Sequence, residues 1–462
     1  MKRRSLLPLL LLAIPFRGLP VKGQQPVDPA MAAALQQVLD SCRIATVVPG
    51  ISTTFLFPDG RYWNGVSGVA HIGTNAPMDT SYVFQAASVT KHFTTTIVMQ
   101  LVEEGELALD DTIGSYITTP ADIPGSTRIR HLLNHRSGLA DYLQAPGAAN
   151  NWFLHPDSVW PPDQILELYS DEPLFAPNAA FSYSNTNFML LGMIVEAVTG
   201  TSFAQELQER ILDPLGLEEA YFPPDLPITG NLVPGWTSFT QPNVYDTDVT
   251  PVLQDCFSSF GWSAGALVAR PWELAHGVRA MQDGTLLEAG SLTAMRTCTN
   301  VNFTDGCNGY GLGTMRYTYA GRTYYGHGGD ISGFTQMAVH GIHDSISFAI
   351  SINRNNAPRG PIAAALLAAA HRALSVGIAH RDAPHLLSVH PNPTTGLVHL
   401  DGPALPSGAI IDVRDALGRP VQRIRPVGVA ARSVDLSALP PGTYQLSVLT
   451  TEGPWWGRVV RE

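Results

Sequence analysis

Ala87-Ser88-Val89-Thr90-Lys91 holds the densest chemical information in this chain of 462 residues. Ser88 and Lys91 open a stretch, from about Ser88 to Glu104, whose apolar spacing predicts a strong helix. Residues i and i+3 share a helix face, so the amine can reach the hydroxyl. Lysine occurs only at Lys2, Lys22 and Lys91, and every other fixed positive charge is arginine. Arginine stays protonated, whereas burial and neighbouring charges can free a lysine amine to act as a base. A serine hydroxyl is a poor nucleophile until such a base takes its proton.

Two further elements follow in order. Tyr183-Ser184-Asn185 lies within Phe181-Ser-Tyr-Ser-Asn-Thr-Asn187, and Gly326-His327-Gly328-Gly329 falls on a predicted strand, Thr323 to Gly329. With Arg130-His131-Leu-Leu-Asn-His135-Arg-Ser-Gly138-Leu139 and Ser263-Ala-Gly265-Ala-Leu267, they make residues 28 to 378 resemble the penicillin-recognising serine hydrolases. That family includes class C β-lactamases, D-alanyl-D-alanine carboxypeptidases, D-aminopeptidases and β-lactamase-like esterases.

The resemblance implies a role for each matching residue. Ser88 would be the nucleophile, Lys91 the base or its proton relay, and Tyr183 the shuttle to the leaving group. Asn185 would hold Lys91 and the substrate amide, and His327 would stand on an edge strand where many relatives have lysine. The oxyanion donors would be the backbone amides of Ser88 and of Asp330, just past Gly328 and Gly329. A threonine is common at position 328, so Gly328 leaves recognition of a free carboxylate open, with Arg316 or Arg322 as possible replacements. The substrate would be a small peptide, amide or ester, most closely a D-amino-acid peptide or amide of the D-alanyl-D-alanine carboxypeptidase type. A carboxylesterase and a penicillin-binding sensor that turns nothing over are the alternatives. No cofactor and no metal are implied.

Other constellations compete. Gly261-Trp-Ser263-Ala-Gly265 matches the Gly-x-Ser-x-Gly elbow of α/β-hydrolases, with Asp283 and His327 following in the required order. It would need an entering strand, and Cys256 to Phe260 reads only as a weak strand in a segment without the alternating parallel-sheet pattern. His131 and His135, four apart on a predicted helix, lack the glutamate of a zinc-protease signature and are expected to be structural. His340 and His343 are expected at the surface.

Elsewhere, a helix from Pro29 to Asp40 and strands Gly50 to Phe57 and Arg61 to Ala70 precede the helical middle. Strands Thr323 to Gly329, Phe334 to His340 and Ile346 to Ile352 and a helix Pro361 to Leu374 follow it. This order predicts an α+β domain of β-lactamase/transpeptidase-like fold: one antiparallel sheet joining both ends of the segment, flanking helices and a helical subdomain.

At about 150 residues per domain the length suits one enzyme domain with additions. Lys2, Arg3 and Arg4 precede an apolar run from Leu6 to Phe16, which predicts an export signal over residues 1–23. That run is too short to span a bilayer, so no stable transmembrane segment is expected. Removing the signal takes five positive charges from a chain of net charge −11 and leaves −16, which argues against nucleic acid as a partner. Export makes the four cysteines disulfide candidates, with Cys298–Cys307 favoured and Cys42–Cys256 left over.

A hydrolase domain over 24–380, a linker over 381–387 and a small all-β sandwich over 388–462 complete the expected organisation. The sandwich carries His390-Pro-Asn-Pro-Thr-Thr-Gly396, Val413-Arg-Asp-Ala-Leu-Gly-Arg419 and Asp435-Leu-Ser-Ala-Leu-Pro-Pro-Gly-Thr-Tyr444. These look like the C-terminal sorting domain of type IX secretion. The resemblance implies the type IX machinery as partner and a secreted or cell-surface location. A glycan-binding sandwich is the competing reading.

Overall fold

The computed structural model describes residues 24–148, 154–238, 246–252, 255–303, 305–377, 385–401, 410–415, 419–424, 433–450 and 453–462. The expected export signal and most of the expected linker lie outside the described residues. The chain separates into two compact units, Met1–Ala369 and Ala370–Glu462.

The first unit is built on one large sheet. Its strands run in the order Gln25–Pro26, Arg61–His71, Gly50–Leu56, Ser347–Ile352, Phe334–Gly341, Arg322–Ile331, Met315–Tyr319, Cys307–Tyr310 and Thr299–Asn300. All neighbours are antiparallel except the first pair. Ile51 pairs with Ile352, so the two ends of the segment share the sheet as expected. Every residue of Gly50–Leu56 is buried, and the helix Pro271–Gln282 packs across that strand and the 334–341 and 347–352 strands. The helix Pro29–Thr46 packs on the 61–71 strand. Asp28 accepts from the amide of Met31 at 2.9 Å and Pro29 occupies the first turn, two start signals that satisfy or remove free N–H groups.

The helical region forms around Thr90–Glu103, Asn185–Thr199 and Asp255–Gly265, whose Phe93, Ile97, Phe188, Leu191, Phe260 and Ala264 belong to one buried cluster. Burying a side chain such as Phe93 stabilises by roughly 1.5–3 kcal/mol. The 90–103 helix is buried on almost all sides, and that is how Lys91 comes to lie inside the protein.

Three expectations need correction. Cys256 to Phe260 is helical, with a kink at Trp262, where φ is 34°. His340 is buried, with Nδ1 2.8 Å from Ser347 Oγ, because it ends a strand covered by the 271–282 helix. All four cysteines are thiols. Thr299 pairs with Tyr310, which sets Cys298 beside Gly311 and leaves Cys307 to bond the Gly309 carbonyl at 3.3 Å, so that hairpin register keeps the two sulfurs on different partners.

In the second unit a five-stranded sheet contains His385–Leu386, Gly453–Arg461, Gly442–Thr450, Ile411–Arg414 and Pro420–Ile424. A three-stranded sheet contains Ser388–His390, Leu397–Asp401 and Ser433–Asp435. Alternate residues such as Val398, Leu400, Ile411, Val413, Leu446 and Val448 point into one core, the period-2 pattern of an all-β unit.

Candidate active site

Ser88 sits in a tight turn, Ala87–Val89, that runs directly into the helix Thr90–Glu103. Ala87 has φ of 49°, a conformation disfavoured for a residue with a β-carbon and a form of strain often found at functional sites. Its neighbours hold it there: Ala86 N–H donates to Leu267 O at 2.7 Å, and Thr90 Oγ1 donates to Ala87 O at 2.7 Å while accepting from Leu267 N–H at 3.1 Å.

Lys91 is fully buried, and all three of its N–H directions are used. Nζ lies 3.2 Å from Ser88 Oγ, 2.6 Å from Asn185 Oδ1 and 2.7 Å from the carbonyl of Ala264. Burial lowers its pKa to about 7, against the opposing pull of Asp141. Near neutral pH the amine therefore exists in both protonation states beside the Ser88 hydroxyl.

Asn185 opens the helix Asn185–Thr199 and is itself held by Asp141. Its Nδ2 donates to Asp141 Oδ2 at 2.9 Å and its backbone N–H to Oδ1 at 3.2 Å. Burial raises the pKa of Asp141. Asp141 was not singled out from sequence, although it lies two residues past Leu139 and caps the short turn Tyr142–Gln144, a position where aspartate is a recognisable signal.

The Tyr183 hydroxyl is buried with no hydrogen bond of good geometry. Burial raises its pKa and the adjacent Ser88 hydroxyl opposes that shift, so the phenol stays neutral. Lys91 Nζ lies 5.1 Å from the Tyr183 ring centre.

The strand Arg322–Ile331 brings in the third element. Residues 322–326 pair with the 315–319 strand, whereas 327–331 pair only with the 334–341 strand, so the expected edge exists only in the second half. A β-carbon at Gly329 would lie 2.5 Å from Ala86 O and 3.0 Å from Ser88 N, so only glycine allows the strand to lie against the serine turn. His327 is buried, with Nε2 3.0 Å from Tyr310 Oη and Nδ1 2.5 Å from Gly328 O. Both ring nitrogens are thus engaged within the protein. Ser88, Lys91, Tyr183, Asn185 and the 327–330 backbone come together from three separate segments.

Residues 31–372 match the Beta-lactamase family. The chain belongs to the beta-lactamase family. Residues 388–460 match the secretion system C-terminal sorting domain, a type IX export signal. Penicillin-binding protein 4 of Amycolatopsis lactamdurans is 34% identical over 195 residues, 41% of this chain and 49% of that protein. The D-aminopeptidase of Brucella ovis is 27% identical over 292 residues, 62% of this chain and 52% of that protein. The chain therefore spans about half the length of these two relatives. Among solved structures, a D-stereospecific amidohydrolase from Streptomyces sp. aligns over 72% of this chain and 96% of its own, with 29% identity and a TM-score of 0.62. The D-amino acid amidase of Ochrobactrum anthropi SV3 complexed with D-phenylalanine aligns over 74% and 99%, at 24% identity and a TM-score of 0.66, and supports the fold alone.

Within this beta-lactamase-family domain the other candidate side chains are engaged by partners other than Ser88. Ser263 is buried and donates to Phe188 O at 2.9 Å. Asp283 bonds Thr285, and His327 is committed to Tyr310 and Gly328, so the rival Ser-Asp-His set does not assemble. A β-carbon on Gly192 would meet Ser263 Oγ at 2.3 Å, so close helix packing accounts for the small residues there. His131 is on the short helix Ile129–Leu133, and His135 follows it with φ of 54°, which removes the shared helix face. Arg316 bonds Asn308 and Asn300, and Arg322 lies 3.9 Å from Asp344. The cation beside Gly328 is instead Arg359, buried at the start of the helix Arg359–Gly377 and paired with Asp305 and Asp330. Sequence offered only its arginine-before-helix position as a signal.

Proposed function

We propose that the chain is an exported serine hydrolase that forms an acyl-enzyme on Ser88 and takes D-amino-acid amides and peptides as substrates. The observation that carries this reading is the buried Lys91 amine, 3.2 Å from Ser88 Oγ and tuned to about 7. Neutral Lys91 accepts the Ser88 proton as Oγ attacks the substrate carbonyl. The C–N bond then breaks, and the leaving amine receives that proton, passed by way of Tyr183. Water next attacks the ester and returns the proton to Ser88. The Ser88 and Asp330 amides stabilise the oxyanion in both halves, and Asn185 orients Lys91 and the substrate amide.

Amides rank ahead of carboxypeptidase substrates for a reason internal to the site. Residue 328 has no hydroxyl, and the Arg359 charge beside it is already balanced by Asp305 and Asp330, so neither group invites a free carboxylate. D-configuration is supported by the similarity to the D-stereospecific amidohydrolase of Streptomyces sp. and the D-aminopeptidase of Brucella ovis. Carboxylic esters, which also lack that charge, are the second reading.

We assign residues 1–23 to a cleaved signal, 24–380 to the hydrolase, 381–387 to a linker and 388–462 to the sorting unit, with delivery to the cell surface or beyond. Intact-mass spectrometry of the protein and of Ser88→Ala tests the reading, after exposure to D-phenylalanine amide, a D-Ala-D-Ala peptide, a p-nitrophenyl ester and a fluorescent penicillin. Turnover of the amide that disappears with Ser88→Ala is expected. Unchanged turnover in that variant overturns it, and stable trapping of penicillin with no turnover of any compound would point to a sensor.

A further inference from the structure

Three buried side chains form a hydrogen-bonded row behind the Tyr183 ring. His135 follows the helix Ile129–Leu133, Tyr310 ends the strand Cys307–Tyr310, and His327 lies on the strand Arg322–Ile331. Tyr310 Oη is 3.0 Å from His135 Nε2 and 3.0 Å from His327 Nε2. The His135 ring centre lies 4.2 Å from that of Tyr183.

The backbone at the two ends fixes every proton in this row. Ser184 N–H donates to His135 Nδ1 at 3.2 Å, and a backbone amide can only donate, so Nδ1 is an acceptor. Asn187 Nδ2 lies 3.0 Å from the same nitrogen, and its Oδ1 is taken by Ser137 Oγ. Neutral His135 therefore carries its proton on Nε2 and donates to Tyr310 Oη. The Tyr310 hydroxyl, having accepted, donates to His327 Nε2. The remaining His327 proton is then on Nδ1, facing the Gly328 carbonyl, which can only accept. One amide beside Tyr183 and one carbonyl beside Gly329 thus set the orientation of all three groups.

We propose that Tyr310 and His135 are positioning residues that hold His327 as a neutral, Nδ1-protonated imidazole and so lock the Tyr183–Asn185 segment to the Gly328–Asp330 strand edge. His327 is on this account a strut and not a substrate ligand. The charged and titratable groups facing it agree. Burial opposes a positive imidazole most, Lys91 and His92 on the 90–103 helix and Arg359 on the 359–377 helix add to it, and only the Gly328 carbonyl pulls the other way; burial likewise keeps Tyr183, Tyr310 and His135 neutral. The two carboxylates at that end, Asp305 and Asp330, are held by Arg359. The catalytic meaning of the row rests on the proposed Ser88 chemistry, whereas the proton arrangement does not.

The test is ¹⁵N NMR of the full chain labelled at histidine, with His327→Gln used to assign the signal. His327 is expected to stay neutral and Nδ1-protonated from pH 5.5 to 9. Tyr310→Phe removes the donor to Nε2, so a second tautomer should appear. The same variant should lower kcat for D-phenylalanine amide at least tenfold with KM changed less than twofold. A wild-type His327 that is Nε2-protonated, or that titrates in this range, overturns the proposal even if the variant does not fold. So does Tyr310→Phe with unchanged tautomer and kcat. If wild type turns over no amide or ester, the proposed activity fails, and the wild-type spectrum still decides the row.

Discussion

The Arg359 guanidinium fills the space that a side chain at residue 328 would need: a β-carbon on Gly328 would lie 2.9 Å from both Nε and Nη2 of Arg359. Arg359 is in turn tied to Asp305 and Asp330. Restoring the threonine common in the family at this position should therefore displace the arginine and leave buried charge unpaired. Gly328→Thr is expected to lose about 3 kcal/mol of stability and to gain no activity on D-Ala-D-Ala peptides. A denaturant melt and a peptide assay check both, and an unchanged midpoint would show that Arg359 has room to move.

Arginine at position 91 keeps a positive charge but cannot give up its proton. Lys91→Arg and Ser88→Ala should each reduce turnover of D-phenylalanine amide at least a thousandfold. Residual activity within tenfold of wild type in Lys91→Arg would assign the base to another group.

The pH dependence has a definite sign. Lys91 titrates near 7 and can serve as the proposed base only when neutral, so kcat/KM should rise tenfold per pH unit below about 7 and level off above it. Asp141 favours the charged form of Lys91. Asp141→Asn should then move the ascending limb to lower pH, and a shift to higher pH would contradict the electrostatic assignment.

Ser263 is a packing residue whose hydroxyl satisfies the Phe188 carbonyl. Ser263→Ala should cost about 1 kcal/mol of stability and leave kcat within threefold of wild type. Loss of turnover without unfolding would revive the rival nucleophile.

Thiol titration of unreduced, denatured protein should return four thiols per chain, consistent with the separate partners of Cys298 and Cys307. Two thiols or none would show that a disulfide forms after export.

Ser88, Lys91, Tyr183, Asn185 and Gly329 were legible because each sits in a short motif whose chemistry depends on local spacing. Periodicity likewise marked the helix carrying Lys91 and the five main strands, since apolar alternation is written along the chain itself. The strands Cys307–Tyr310 and Met315–Tyr319 were not delimited, because a run of four or five residues is too short for alternation to stand out. The Cys256–Phe260 segment passed for a possible strand because short apolar runs fit either state, and only packing against the 185–199 helix selects one.

What the chain determined by itself was the class of chemistry: one lysine three residues past a serine, followed by a tyrosine–asparagine pair and a glycine-bordered strand. Tertiary structure alone decided what surrounds those groups. Asp141 reaches Asn185 across 44 residues, His135 reaches Tyr310 across 175, and Arg359 reaches Asp305 across 54. The charge state of a buried group depends on its desolvation and on such distant neighbours, and neither is present until the helices and sheet close around Lys91 and His327.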